Sequence, residues 1–315
     1  MGTRSYSRGA LGIALAAGIL SACGGQKTPT GAQGMLGSQG TAILPAQGGA
    51  LIYASEYSEK FGSRVLLYPE AGGKSVGEIT DGINDPQGLY VDKYGTLYVA
   101  NAGNDTVTAY LAGSTSPSTT WSQDLDGPAY PIIDAKGNLF VGNTRNSTVV
   151  EYQPGNTNAY RLLQLPMGGH AEGMDFDADG DLFVVCRFGL KGSIVKFTPA
   201  EKKVRLTGIR RLSRPLGIIV DSNNNIIVTD RWGMQFFPAG ATNPSQTLPW
   251  RWLSQVAILG NESQIFVVAY RAGGHRRGVL TSSYPFTSSS KLNVLISPGK
   301  ANFFRGMALS NGQTF

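Results

Sequence analysis

The sequence of 315 residues predicts an all-β fold, a six-bladed β-propeller. The main evidence is a unit that recurs along the chain: an apolar strand, a turn rich in Asp, Asn and Gly, and a second apolar strand. The sixth copy is divided between the two ends of the chain, as closure of a ring of such units requires. Glycine is abundant at 42 residues and charged residues make up only 15%, a composition suited to many tight turns.

The first five copies align on the residue that ends the first strand of each unit. In four of them it is an aspartate, at spacings of 42, 43 and 44 residues: Asp92, Asp134, Asp177 and Asp221. The fifth copy is degenerate and has a Gly260-Asn261 turn between its strands. One unit cannot bury its own apolar faces, so this period indicates copies that pack on one another. The second strands are predicted at 96–100, 138–142, 181–185, 225–229 and 264–270.

The sixth unit is predicted from two half-units. Residues 305–309 (RGMAL) resemble a first strand, and residues 50–55 (ALIYAS) resemble a second strand with no first strand before it. Pairing the two would pin the last blade to the first and remove exposed sheet edges. An open solenoid, the other architecture for such repeats, more often ends in capping units than in complementary halves.

The N-terminal segment predicts an export signal. Arg4 and Arg8 precede an apolar stretch at 10–20, which is too short to span a bilayer comfortably. The sequence LSAC at 20–23 follows and resembles a bacterial lipobox, in which the cysteine is acylated. The alternative is an ordinary signal peptide in which Cys23 stands by chance.

The predicted organisation has three parts. These are a lipoprotein signal peptide at 1–22, the lipidated Cys23 with a flexible tether at 23–48, and a β-propeller domain at 49–315. The lipid makes a membrane the first expected partner. We therefore expect a membrane-anchored lipoprotein of the bacterial cell envelope, facing the periplasm or the exterior.

Two stretches of the repeat resemble known families. The pattern at 86–101 (PQGLYVDKYGTLYVAN) resembles the NHL repeat, and residues 173–200 are similar to a blade of the SMP-30/gluconolactonase group. The resemblance covers most of residues 50–315 and implies a six-bladed propeller. Because such folds host many activities, it specifies the fold much better than the function.

The SMP-30/gluconolactonase resemblance also implies a central funnel. In that group, the residue before the glycine that opens each first strand points into the funnel, where lactonases hold a divalent cation. The corresponding residues here are Gln87, Ala129, Glu172, Leu216, Ser254 and Arg305. Only Glu172 offers a charged oxygen, Gln87 is a weak carbonyl donor, and Arg305 would repel a cation. A metal-dependent lactonase centred on Glu172, with a cation such as Ca²⁺, is thus the alternative to a protein without a cofactor.

Other catalytic patterns find little support in the sequence. His170 and His275 are the two histidines, and both are expected to be solvated loop residues rather than zinc ligands. The segment DFDADGD at 175–181 lacks the distal Glu of a calcium loop and is interpreted as an inter-strand turn. No P-loop occurs in the chain, and its single G-x-S-x-G string, GKSVG at 73–77, is not followed by the helical pattern that a nucleophile elbow requires. The sequence therefore assigns no catalytic residue and favours a non-enzymatic protein.

An arginine follows the second strand in four consecutive units. Such loops flank the funnel mouth, so the arginines predict a basic rim; they are Arg145, Arg187, Arg231 and Arg271. Phe188 and Trp232 stand beside two of them and would add flat apolar surfaces. Guanidinium groups bind carboxylates and phosphates bidentately, and aromatic faces stack on planar ligands. The alternative is that these arginines are ordinary solvated loop residues.

The predicted function is a binding or scaffolding module. Candidate ligand-binding residues are Arg145, Arg187, Phe188, Arg231, Trp232, Arg271, Arg305, Gln87 and Glu172. The expected partners are an anionic glycan, a small acid or an acidic protein. Nucleic acid is not expected, because the formal charge of +6 falls to only +4 without Arg4 and Arg8. A third possibility is a spacer within an envelope assembly that binds no small ligand.

Overall fold

A computed structural model describes residues 49–58, 62–199, 203–269, 278–287, 289–298 and 303–310. The predicted signal peptide, Cys23, the tether, Arg271 and His275 lie outside these residues. In chain order the strands are β1 (Leu51–Ser58), β2 (Gly62–Pro69), β3 (Gly77–Ile79), β4 (Pro86–Val91), β5 (Leu97–Asn101), β6 (Thr106–Tyr110), β7 (Thr119–Trp121), β8 (Pro128–Ile133), β9 (Leu139–Asn143), β10 (Thr148–Tyr152), β11 (Ala159–Gln164), β12 (His170–Phe176), β13 (Leu182–Phe188), β14 (Lys191–Thr198), β15 (Lys203–Leu206), β16 (Leu212–Ser213), β17 (Gly217–Val220), β18 (Ile226–Thr229), β19 (Gly233–Phe237), β20 (Gln246–Pro249), β21 (Leu253–Ile258), β22 (Gln264–Ala269), β23 (Gly278–Ser283), β24 (Asn293–Ile296) and β25 (Phe303–Leu309).

These strands form six antiparallel sheets in the described part of the chain, which confirms the six-bladed propeller. Blades 1 to 5 are β4–β7, β8–β11, β12–β16, β17–β20 and β21–β24. Blade 6 has the order β25-β1-β2-β3, so the last strand of the chain pairs with the first. The register places Leu309 opposite Ile52 and Met307 opposite Ala54. The split unit predicted from the two ends of the chain is therefore confirmed. A short 3₁₀ turn at Pro166–Gly168 leads into blade 3.

The recurring aspartate closes the turn between the first two strands of a blade. Oδ1 of Asp92 accepts hydrogen bonds from the backbone N–H groups of Tyr94 and Thr96, both at 2.9 Å. A short acceptor side chain that bonds to the backbone two residues onward stabilises such a turn. The same pair of bonds is made by Asp134, Asp177 and Asp221. The segment at 175–181 thus contains an inter-strand turn, as the sequence predicted.

Buried apolar residues lie in clusters between neighbouring blades. Trp121 of blade 1 packs with Tyr152 of blade 2, and Phe140 of blade 2 packs with Phe176 of blade 3. A corresponding cluster joins each of the remaining pairs, including blade 6 with blade 1. Because each blade buries its faces only against two neighbours, the ring must close to bury all six. Within the described part of the chain, no helix has the length and apolarity needed to cross a membrane.

Candidate functional site: the funnel and its rim

The first strand of most blades is bulged where it faces the central funnel. In blade 1 the pairing of β4 with β5 shifts between Pro86 and Leu89, at Gln87. In blade 6 the pairing of β25 with β1 skips Arg305. Blades 2, 3 and 5 show the same shift at Ala129, Glu172 and Ser254. A bulge re-aims a side chain, which explains why these positions turn into the funnel while their neighbours stay in the sheet.

Glycine follows four of the six funnel positions because neighbouring first strands almost touch there. A Cβ at Gly88 would lie 2.4 Å from the carbonyl oxygen of Ala129, and one at Gly306 would lie 2.3 Å from that of Gln87. Gly173 additionally donates its N–H to the carbonyl of Leu216 at 2.7 Å. The recurring glycine therefore allows the close approach of blades around the axis.

The funnel contains a cavity of about 420 Å³. All six residues that the sequence assigned to the funnel line it, together with four others: Ala102, Tyr130, Thr144 and Arg187. The structure thus brings Gln87, Glu172, Arg187 and Arg305 together in one space. Their role in binding a ligand stays a prediction.

Glu172 and Arg187 form an ion pair inside this cavity. Nε of Arg187 donates to Oε1 of Glu172 at 2.6 Å, and Nη2 contacts the same oxygen. Glu172 is only 4% exposed. Burial raises the pKa of its carboxyl above the usual range, while the charge of Arg187 opposes that rise. Neither residue is the free charge that the sequence suggested.

Arg305 of the funnel and Arg145 of the predicted basic rim are also paired with carboxylates. Nη1 of Arg305 lies 2.8 Å from Oδ1 of Asp85, and its guanidinium stands over the ring of Tyr57. Nη1 of Arg145 lies 3.0 Å from Oδ1 of Asp105. The rim is therefore less basic than a count of arginines implies, because these charges are already compensated. Phe188 also differs from expectation, since its ring packs against the core cluster between blades 2 and 3.

Arg231 and Trp232 belong to a cluster of stacked arginine and tryptophan side chains beside the funnel mouth. The guanidinium of Arg231 lies 5.1 Å from the ring centroid of Trp232 and 5.2 Å from that of Trp252. Arg214 stands over Trp252 at 5.6 Å, and Arg251 over Trp232 at 5.5 Å. We call these five residues the Arg–Trp cluster. The contacts are cation–π interactions, which gain strength where the groups are shielded from water.

From the sequence, Trp252 could either stack at the rim or pack between blades, and packing is favoured; in the structure it is partly buried, with the guanidinium groups of Arg214 and Arg231 over its ring. The position of Trp252 in the repeat could have indicated that it lies at the funnel mouth. Trp252 comes two residues before Ser254, as Arg214 comes two residues before Leu216. Both therefore enter the first strand of a blade at the funnel mouth.

Asp230 holds the loop that carries Arg231 and Trp232. Its Oδ1 accepts the N–H of Trp232 at 2.7 Å, and its Oδ2 accepts the N–H of Ser213 at 3.2 Å and Nε2 of Gln235 at 2.7 Å. Asp230 is 1% exposed, and burial raises the pKa of its carboxyl. Because its oxygens are used by these donors, it makes no ion pair with the described arginines of the cluster.

A second cavity, of about 80 Å³, lies along the axis among the first strands. Asp175 lines it at the position where the other blades have Tyr90, Ile132, Ile219, Ala257 and Ala308. Its Oδ2 accepts the N–H of Val220 at 2.8 Å. Burial raises the pKa of this carboxyl to about 7. The sequence already shows that Asp175 is the only carboxylate at this repeat position, and this difference could have marked it as unusual.

The donor set in the funnel does not fit the calcium site of the lactonase alternative. Ca²⁺ takes six to eight oxygen ligands, usually including several carboxylates. Glu172 is the acidic residue that lines the cavity, and Arg187 holds it. The described residues contain no group of three or more His, Cys, Asp and Glu side chains that could hold a metal ion. His170, expected to be solvated, instead lies in β12, where its ring contacts the carbonyl of Thr144.

Comparisons with known proteins show the fold alone. No protein-family model matches the chain, and no curated protein matches it significantly. A structure of a nidogen/laminin complex is similar with a TM-score of 0.67 and 12% identity, over 84% of this chain and 100% of that one. A streptogramin B lyase structure has a TM-score of 0.52 and 11% identity, over 80% of this chain and 76% of the lyase chain. A third similar structure is that of an inactive histidine-to-alanine variant of virginiamycin B lyase from Staphylococcus aureus with quinupristin. Its TM-score is 0.51 and its identity 12%, over 69% of this chain and 72% of the lyase chain. These propellers include one from a protein–protein complex and two lyases, so the fold does not decide the function.

Proposed function

We propose that this protein is an exported, lipid-anchored β-propeller that binds an acidic ligand or partner at the rim of its funnel. The single observation that carries the proposal is Arg231, which lies between Trp232 and Trp252. No carboxylate of the described residues pairs with its guanidinium. A guanidinium stacked on indole rings keeps its edge N–H groups for a carboxylate, sulfate or phosphate. Cys23 would attach the domain to the membrane through its lipid.

The paired arginines support the same proposal by contrast. Arg145, Arg187 and Arg305 each face a carboxylate of the chain itself, so they shape the rim with little net charge. Arg231 has been left without such a partner among the described residues, which makes it the better anion receptor. Arg271 lies outside the described residues, and its place on the rim stays a prediction.

The test is binding by the full-length lipidated protein in detergent. The probes are citrate as a small acid, poly-glutamate as an acidic polypeptide, and polygalacturonate as an anionic glycan. We expect at least one to bind, salt to weaken the binding, and Arg231→Ala to lower the affinity on the order of tenfold. Arg145→Ala is the matched control, because Asp105 already compensates Arg145. If no probe binds, or if Arg231→Ala changes nothing, the proposed function is wrong.

A further inference from the structure

From the Arg–Trp cluster we infer that the acidic ligand is an acidic polysaccharide, bound along the cluster from the funnel mouth outward. This inference rests on the proposed function and narrows it to one class of ligand and one part of the rim. It assigns binding roles to Arg214, Trp252 and Arg251, none of which is among the ligand-binding residues predicted from the sequence.

The cluster is extended and continuous. Each tryptophan has two guanidinium groups over its ring, and Arg231 contacts both tryptophans. Arg214 stands at the end nearest the funnel, two residues before Leu216, which lines the cavity. Arg251 stands at the opposite end and is exposed. Three cations in such a series match a ligand that carries several anionic groups in a row.

Within the described residues the three arginines of the cluster form no ion pair. In contrast, Arg305, Arg145 and Arg187 face Asp85, Asp105 and Glu172, respectively. The nearest acidic residue in sequence is Asp230, whose carboxylate oxygens accept hydrogen bonds from backbone N–H groups and from the side chain of Gln235. The positive charges of Arg231 and Arg251 are therefore available to a ligand outside the chain, while the charge of Arg214 also acts on Glu172 and opposes the rise of its pKa.

The backbone at two cluster residues is strained. Arg214 and Trp252 have φ angles of 49° and 68°, in the left-handed region that disfavours residues with a Cβ. Blade 2 has Gly127 at the same position, two residues before its funnel residue, with φ of 62°. Glycine would remove the strain at both positions. Asp85 of blade 1 is also left-handed at this position, with φ of 48°, so the conformation is a feature that blades 1, 2, 4 and 5 share.

The aromatic component favours a sugar polymer over an acidic polypeptide. Trp232 is 50% exposed although two cations stand over its ring. A pyranose ring has an apolar face of C–H groups that packs on an indole, and its carboxylate or sulfate then reaches a neighbouring guanidinium. A chain of glutamates offers the charges without the flat face. Nucleic acid could use both features, so it serves as a competing outcome of the test.

The experiment measures binding of the full-length protein in detergent to polygalacturonate, galacturonate monomer, dextran sulfate, neutral dextran and single-stranded DNA. We expect one or both acidic polymers to bind on the order of tenfold tighter per sugar than the monomer, and neutral dextran not to bind. Polygalacturonate and dextran sulfate separate carboxylate from sulfate recognition. Equal affinity for monomer and polymer would overturn the inference and leave the proposed function standing. Tighter binding of DNA than of either acidic polymer would overturn it as well.

Glycine substitutions separate a binding role from a structural one. Trp252→Gly and Arg214→Gly remove a cluster member and also relieve the left-handed strain, so we expect an unchanged or higher Tm together with polymer affinity lowered on the order of tenfold. Arg251→Ala, at an exposed position, should weaken the polymer without affecting Tm. Lys136→Ala, at an exposed position in the turn between β8 and β9, is the control that should leave both values unchanged. If Arg251→Ala and Arg214→Gly both retain full polymer affinity, the cluster is not the binding surface.

Discussion

The guanidinium of Arg187 holds the carboxylate of Glu172 inside the funnel, with Nε 2.6 Å from Oε1. The two residues belong to neighbouring strands of blade 3, where Arg187 pairs opposite His170 and Glu172 sits in a bulge. Glu172 was the candidate metal ligand, and Arg187 was a candidate binding residue for an anionic ligand. Each therefore satisfies the other, and the external charge of this part of the funnel is small.

We predict that Arg187→Ala destabilises the protein by about 3 kcal/mol, because it leaves the buried carboxylate of Glu172 without a counter-charge. Glu172→Gln should cost less, since the amide oxygen still accepts a hydrogen bond from Arg187. Urea denaturation measures both. A double-mutant cycle with Glu172→Ala should give a favourable coupling energy. A coupling of zero would show that the pair adds nothing to stability.

Divalent cations should have no effect on stability. Since Arg187 occupies the carboxylate that a cation would need, we predict the same Tm in EDTA and in millimolar Ca²⁺. Differential scanning calorimetry of the full-length protein measures it, with Glu172→Ala as a second sample. Stabilisation by Ca²⁺ that disappears in Glu172→Ala would instead favour the metal-dependent lactonase.

Asp175 should make stability fall as pH rises. Burial raises its pKa to about 7 in the folded protein, against about 3.9 for an unfolded aspartate. The folded state thus favours the protonated acid, so ionisation opposes folding. The penalty starts near pH 4, grows up to about pH 7, and reaches on the order of 4 kcal/mol.

The check is urea denaturation at several pH values, with Asp175→Asn as a variant that cannot ionise. Wild type should lose stability relative to the variant between about pH 4 and pH 7. A stability difference that is constant with pH would contradict the assignment. Asn keeps one of the two backbone bonds of Asp175, so a constant offset between the proteins is expected and does not affect the comparison.

Asp230→Asn should disturb the loop that carries Trp232. The amide nitrogen of Asn cannot accept the N–H bonds that one carboxylate oxygen accepts, so a buried donor is left unsatisfied at a cost of about 1–3 kcal/mol. We expect a lower Tm and a red shift of the tryptophan fluorescence as the Trp232 environment becomes wetter. Asp105→Asn is the control: Asp105 is only partly buried and an amide oxygen there can still accept the N–H of Gly127, so both signals should stay close to wild type.

Local chemistry explains what the sequence could predict. The turn aspartates bond to backbone groups two and four residues onward, so Asp92 and its three equivalents mark the turns of blades 1 to 4 by themselves. The six funnel positions were found because each precedes the residue at which blades approach, usually a glycine such as Gly306. The split blade followed from two complementary half-units.

What the sequence could not predict are the contacts between blades and between loops. Arg145 pairs with Asp105 across 40 residues, and Trp252 receives Arg214 and Arg231 from two different loops. Such contacts depend on the angle between blades and on loop geometry, and neither of these produces a periodic pattern in the sequence. The sequence places arginines after the second strands, but only the structure distinguishes the paired Arg145 and Arg187 from Arg231, which is unpaired among the described residues, and the role of the rim in binding stays a prediction.

Closure of the ring should depend on the absence of a side chain at Gly306. This residue of β25 lies between Ser55 and Gln87: its N–H donates to Oγ of Ser55 at 2.7 Å, and that hydroxyl donates to the carbonyl of Gln87 at 2.6 Å. A Cβ at Gly306 would lie 2.3 Å from the same carbonyl oxygen, so blades 6 and 1 would have to separate. We predict that Gly306→Ala costs about 3 kcal/mol or more and increases cleavage by a protease under native conditions. Gly142→Ala, whose Cβ would meet the Ala171 side chain at 3.0 Å, should be milder. Equal stability of Gly306→Ala and wild type would show that the joint between the two ends of the chain does not limit the stability of the ring.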